Sequence, residues 1–564
     1  MAVARGLTGR IGAGLRSIPQ LRFTLTPWTL ATGLAVVLIL LPLAVIVVGV
    51  FGEPSDTWRH LASTVLSRYI VNSTVLIVGV GGLTLLLGIA TAWLVTACDF
   101  PLRRSYQWAL VLPLAIPTYI VAYTYAELFA HTGPVQTFLQ LFMEPSTTAQ
   151  LRTGLMSLGG VTVVMSLVLY PYVYLITRAS FLKQTGGVLE TARILGKTPW
   201  ASFFQVALPM ARPGIVAGVT LVLMEVLNEY GAVTYFGVPT FTTGIFRAWF
   251  SLGDEDAAIR LSACLLALVF ALILLERAQR GRARFDEGRG SRPPPARFRL
   301  RGWKAWAATA ACGVPVLFGF ILPVTQLVAW SVSTAPDFLD RDFLVLALNS
   351  FGLALTAALV AVAVALLVVY TVRLHPTPIH RLAERVSVLG YSIPGAVIAV
   401  GVLVPLIRVD GWLDGLAGAV LGISTGLLLT GTVVALIYAY VVRFLAVALN
   451  PVESGFQRLC GNLDEMSRSL GASPSRTLAR VNLPLLKGTL LSAGLLVFVD
   501  VLKELPLTLI LRPFDFDTLA TKAFQLASDE LVAQSAHPAL LIILTGTLPV
   551  IVLSRLIARE ERPG

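Results

Sequence analysis

Apolar residues run in blocks of twenty or more along almost the whole chain, and polar residues gather in the gaps. The blocks fall near 27–50, 71–97, 107–130, 154–177, 213–237, 258–276, 304–331, 349–372, 388–407, 415–442, 488–511 and 538–558. Each is long enough to cross a bilayer core, which takes about 17–25 residues. The alternation expected of an outer-membrane barrel strand is absent from them. Helices are implied, because unpaired backbone groups in hydrocarbon cost too much for open strands. The pattern therefore predicts an all-α integral membrane protein with about 12 transmembrane helices.

Composition agrees with that reading. Of 564 residues, 56% are hydrophobic and only 13% charged, against about 25% charged in soluble domains. The basic residues set an orientation. With the N-terminus in the cytoplasm, 33 of the 43 Lys and Arg fall inside and 8 outside, while Arg260 and Lys503 lie in or beside a span. Both termini are then cytoplasmic. The net charge of +12 is a topology signal and does not call for nucleic acid as a partner. The first apolar block is too long for a cleavable signal and lacks a small-residue cleavage site. Cys98, Cys264, Cys312 and Cys460 are scattered, with no C-x-x-C pair, so neither a disulfide framework nor a tightly bound metal is expected.

Self-comparison divides the chain in two. A shift of 275 lays 190–255 on 465–530 without a gap, with 18 identities in 66 positions. Upstream, Asn72-Ser73 matches Asn349-Ser350, and Ile116-Pro117 matches Ile393-Pro394, both at 277. The predicted layout is a basic cytoplasmic tail (1–26), a first six-span repeat (27–276), a basic Pro/Gly-rich cytoplasmic linker (277–303) and a second repeat (304–564). Six spans per repeat give both the same orientation, related by a pseudo-twofold axis along the membrane normal. The linker reads as a tether, with contact to anionic membrane lipid as a further use.

One repeated stretch carries most of the functional information. Residues 189–209 read LETARILGKTPWASFFQVALP, and 464–484 read DEMSRSLGASPSRTLARVNLP. The GKT resembles the end of a phosphate-binding loop, but Thr191 stands where the first glycine belongs, and Ala472 replaces Lys197 in the second copy. What recurs is Glu190/Glu465, Arg193/Arg468, Gly196/Gly471, Pro199/Pro474 and a closing Leu-Pro. Those residues predict a helix ended by a left-handed glycine. A hydroxyl cap and an N1 proline start a second helix, which Leu-Pro stops.

Glu, five residues, Gly and a later Leu-Pro, once per repeat, resembles the EAA loop of permease subunits of binding-protein-dependent ABC transporters. In that family the first short helix couples to the ATP-hydrolysing subunit. The resemblance makes Glu190, Ala192 and Gly196 one coupling motif, and Glu465 and Gly471 the other. Thr191-Ala192 and Met466-Ser467 depart from the family's double alanine. Two repeats on one chain, with TFTTGIFRAWF (240–250) and DVLKELPLTLILRPFDFDTLATKAF (500–524), resemble fused ferric-iron transport permeases; fused thiamine permeases share the layout. The resemblance implies a bacterial inner-membrane location, two copies of a cytoplasmic ABC ATPase and a periplasmic substrate-binding protein. ATP and Mg²⁺ would belong to the ATPase, with no cofactor on this chain and no catalytic residue.

The fifth span of each repeat adds an acidic pair, Glu225 and Glu229 against Asp500 and Glu504. Four apart on a helix, each pair shares a face, and a carboxylate at mid-bilayer costs about 2.5–3.5 kcal/mol on insertion scales. The four acids, with Tyr230, either line a path for a cation or bond neighbouring helices, Lys503 to Asp500 among them. Outside the membrane, Asp254-Glu255 matches Asp529-Glu530, a candidate docking surface for the binding protein. The intramembrane acids also suit an ion-coupled secondary transporter, which gives no reason for two cytoplasmic docking loops.

Overall fold

A computed structural model describes residues 26–131, 133–184, 194–280, 297–334, 340–460 and 462–547. Among these, ten helices are long and apolar enough to cross a membrane. A further apolar pair, Arg103–Ala115 and Thr118–Leu128, meets at 89°, the geometry of a broken span or of a re-entrant loop. The last predicted span begins at Ala536, and its described part reaches Thr547. The sole β pairing among the described residues joins Cys98–Asp99 to Phe298–Arg299, in parallel. The fold is all-α and membrane-embedded.

The repeated Ile-Pro explains the bend. Proline pushes the residue before it out of the helical region, and Ile116 (φ −103°, ψ 124°) and Ile393 (φ −91°, ψ 129°) are both extended. Each stands between a short 3₁₀ turn and a new helix, Thr118–Leu128 in the first repeat and Gly395–Leu421 in the second.

Two expectations are corrected. Leu-Pro does not stop a helix: Trp200–Asn228 and Pro474–Leu502 each run through it as one 29-residue helix. The five residues before each Leu-Pro, Phe203–Ala207 and Leu478–Asn482, are wound as π-helix. Widening the turn relieves the clash of the proline ring with the preceding carbonyl. The same device, Leu317–Ile321, precedes Leu322-Pro323.

The ninth and tenth spans are also displaced. The helices are Gly395–Leu421 and Val433–Arg458, not 388–407 and 415–442. Asp410 and Asp414 read as loop residues but sit on the helix. They hold the loop that follows by accepting the backbone N–H groups of Leu428, Leu429 and Thr430, and of Thr425 and Gly426.

The sequence repeats are not separate bodies, because each lends its first helix to the other. Pro27–Gly49 lies on the second repeat. There the Thr32 hydroxyl donates to Thr371 at 2.8 Å, Trp28 meets Tyr370 edge-on at 5.2 Å, and a Cβ on Gly401 would stand 2.5 Å from the Pro42 carbonyl oxygen. Trp303–Ser333 lies on the first repeat, where Tyr125 donates to the Phe318 carbonyl at 2.6 Å and a Cβ on Gly319 would stand 2.4 Å from the Leu167 carbonyl oxygen. Small residues admit such backbone approach in membranes. Gly401→Leu should therefore lower stability by about 1–3 kcal/mol through overpacking, read as a fall in the unfolding midpoint of the detergent-purified protein.

Candidate functional site

A cavity of about 110 Å³ lies where the two repeats meet. Glu225, Glu229, Tyr230, Asp500 and Glu504, the five candidate path residues, all line it. Their local structure differs from the predicted shared helix face. The helices Leu208–Asn228 and Leu483–Leu502 end just before the glutamates, and Glu229 is extended (φ −66°, ψ 126°). Each glutamate accepts a hydrogen bond from the first turn of the next short helix. The Ala232 N–H reaches Glu229 at 2.9 Å, and the Leu507 N–H reaches Glu504 at 3.2 Å. The carboxylates thus satisfy backbone donors that a break at membrane depth exposes.

The two sides are not electrically alike. In the first repeat, Glu229 accepts from the Thr118 hydroxyl, and Asn228 Oδ1 accepts from the Gly395 N–H of the other repeat at 2.8 Å. In the second, Glu504 pairs with Arg443 at 3.2 Å, both side chains only 6% exposed, and Lys503 pairs with Asp500 at 3.2 Å. Arg443 also donates to the Ile393 carbonyl at 2.9 Å. Among the described residues no three His, Cys, Asp or Glu side chains are grouped to hold a metal.

The two repeated elbows sit at the far ends of the same helices. Gly471 is left-handed (φ +81°), with its own N–H on the Arg468 carbonyl and the Ala472 N–H on that of Ser467. That is the Schellman arrangement closing the helix Asn462–Ser469. Ser473 then caps Pro474–Thr477 by accepting the Arg476 N–H at 3.3 Å. In the first repeat Gly196 is likewise left-handed (φ +76°), and Thr198 accepts the Ala201 N–H at 3.3 Å. Glu190 and Ala192 lie outside the described residues; Glu465 is exposed. Lys197 donates to Gln205, a local tie in place of a phosphate contact. Arg373 holds the second elbow, pairing with Asp464 and donating to the Phe456 carbonyl at 2.8 Å. Ile194, Leu195, Trp200 and Phe204 on one elbow, and Met466 and Leu470 on the other, are exposed.

Comparison with known families matches residues 84–280 and 357–562 to the binding-protein-dependent transport system inner membrane component. The chain belongs to this family. It is a multi-pass inner-membrane permease of a binding-protein-dependent ABC importer, a transport subunit and not an enzyme, and the family implies an ATPase and a periplasmic binding protein as partners. The permease is 25% identical over 496 residues to the Fe(3+)-transport system permease protein FbpB 2 of Haemophilus influenzae, covering 87% of this chain and 90% of that one. It is 28% identical over 194 residues to the molybdenum transport system permease protein ModB of Escherichia coli, 33% of this chain and 81% of that one. The sulfate transport system permease protein CysT of Escherichia coli is 34% identical over 149 residues, 26% of the permease and 50% of CysT. Membership sets aside the ion-coupled secondary transporter.

The outer acids of the permease do not occupy matching places, although they align in sequence. Asp254 caps the helix Glu255–Arg280, taking the Ala257 N–H at 2.8 Å and the Ser55 hydroxyl at 3.2 Å. Burial opposes its charge, but these hydrogen bonds outweigh burial and hold its pKa below the usual aspartate value. Glu255 accepts from Arg408 at 3.1 Å. Asp529 instead ends the helix Leu519–Ser528, and Glu530 is left-handed (φ 63°), the conformation of Gly253 (φ 61°) rather than of Glu255. The register has already moved at the capping boxes Thr240–Thr243 and Thr518–Thr521, which are 278 apart where the sequence shift is 275.

Arg443 and Tyr119 are among the cavity residues that hydropathy does not single out. Arg443 follows the predicted tenth span and counts as a cytoplasmic charge, whereas the structure buries it mid-helix. Removing one partner of a buried pair strands the other. Arg443→Met should cost about 3–5 kcal/mol, and adding Glu504→Gln should recover most of that loss, because the amide oxygen still accepts the Leu507 N–H. Thermal unfolding of both purified variants measures this.

Proposed function

We propose that the permease carries a cation, ferric iron foremost, from the periplasmic binding protein to the cytoplasm. The lining of the cavity carries this reading: four carboxylates against Arg443 and Lys503, a formal excess of two negative charges. Two unit charges about 4 Å apart interact by about 4 kcal/mol at an effective dielectric near 20. That favours a cation and penalises an oxyanion, which separates this cavity from the cargo named for the molybdenum and sulfate relatives. Carboxylate and phenol oxygens suit a hard metal ion, and the iron named for the Haemophilus relative agrees. With no tight chelate, the cavity passes its cargo on, and capture falls to the binding protein.

Each elbow seats one copy of a cytoplasmic ATPase, which holds the ATP and Mg²⁺; this chain needs no cofactor. Glu190, Ala192 and Gly196 serve one copy, and Glu465 and Gly471 the other, with both chain termini on that side. The exposed apolar side chains beside each left-handed glycine support the docking. Asp529 and Glu530 are better placed to meet the binding protein than Asp254 and Glu255, which cap and pair within the chain.

Two experiments test these assignments. Proteoliposomes with the complete transporter should accumulate ferric ion and leave molybdate and sulfate outside; oxyanion uptake would sink the cation reading. Gly196→Trp with Gly471→Trp should lower co-purification of the ATPase at least tenfold, and unchanged association would count against elbow docking.

A further inference from the structure

The two walls of the cavity are unequal in a way that the sequence symmetry hides. Arg443 stands opposite Val168 at a shift of 275 or Ser166 at 277, and Lys503 opposite Asn228, so both cations belong to the second repeat. There they are engaged: Arg443 with Glu504, and Lys503 with Asp500. Glu229 is engaged as well, by Thr118 and the Ala232 N–H. Glu225 is the one cavity carboxylate with neither a hydrogen bond nor an ion pair among the described residues.

A second group lacks a partner at the same place. Tyr119 lines the cavity from the helix Thr118–Leu128, its residue is 4% exposed, and its phenolic oxygen is buried without a hydrogen-bond partner. An orphaned buried hydroxyl is destabilising, and a passing ligand would supply the missing partner. The counterpart of Tyr119 at the shift of 277 is Ala396, so this donor too belongs to the first repeat.

The geometry points to a division of labour: Glu225 and Tyr119 contact the cargo cation, while the second repeat forms a self-neutralised wall that lends the cavity shape but no vacant charge. The ligand class is a hard, oxygen-seeking metal cation with part of its water shell retained. This rests on the cation reading above. The resident guanidinium and ammonium keep the cargo from meeting four naked carboxylates at once, which would hold it too tightly to pass.

The test is uptake of radiolabelled ferric ion into proteoliposomes holding the full transporter and its loaded binding protein, with ATP hydrolysis followed in the same vesicles. Glu225→Gln should lower uptake at least tenfold while stimulated ATP hydrolysis stays within twofold of wild type. Glu225→Asp should retain at least a third of the uptake, and Tyr119→Phe should lose three- to tenfold. Asp500→Asn should lose at least fivefold less than Glu225→Gln. Equal losses at 225 and 500, wild-type uptake by Glu225→Gln, or parallel loss of uptake and ATP hydrolysis would overturn the assignment. Wild-type vesicles that take up molybdate or sulfate in place of ferric ion would instead overturn the cation reading beneath it.

Discussion

A helix that begins inside the hydrocarbon must find acceptors for its first N–H groups, and Glu229 and Glu504 are the acceptors here. Each carboxylate takes an N–H from the start of the following short helix, Gly231–Tyr235 or Pro506–Leu511. Such breaks are tolerated at membrane depth where protein or a cavity surrounds them. The cavity, the gathering of four acids and the meeting of the repeats all follow from two capped breaks at equivalent places. Structural bonding, one of the two alternatives in the sequence, is supplied by these capping hydrogen bonds, and the same carboxylates line the cavity.

The exchange of first helices gives that break a firm frame. Pro27–Gly49 and Trp303–Ser333 cross to the opposite repeat, so the cavity walls are fastened from outside by chain belonging to the other side. The two larger hydrophobic cores mix residues of both repeats. One joins Ile39 and Ile46 to Val397 and Val400, and the other joins Ile120 and Val164 to Leu519 and Ala536.

Much of this was legible in the chain itself. Apolar runs located most of the spans because the bilayer imposes one length on them all. The repeated Ile-Pro and the left-handed glycines were readable because proline and glycine constrain the backbone wherever they stand. What escaped was anything that depends on long-range compensation. Asp410 looked like a loop residue because its burial is compensated by amides 18 to 20 residues away. Arg443 looked cytoplasmic because its partner, Glu504, is supplied by a distant helix. Leu-Pro looked like a stop because the π-helical relief preceding it leaves no residue-type signature. The outer acids matched in sequence because a gapless shift cannot register the three-residue slip between the two capping boxes.

One continuous helix connects each elbow to the cavity, and its stiffness has a mechanical consequence. Trp200–Asn228 and Pro474–Leu502 are about 44 Å long at 1.5 Å per residue. Each begins at an elbow and ends within two residues of a cavity glutamate. The rod carries one irregularity, the π-helical stretch one turn from the elbow. Elbow and cavity are thereby joined by one unbroken element. The capping glutamates ride on its far tip.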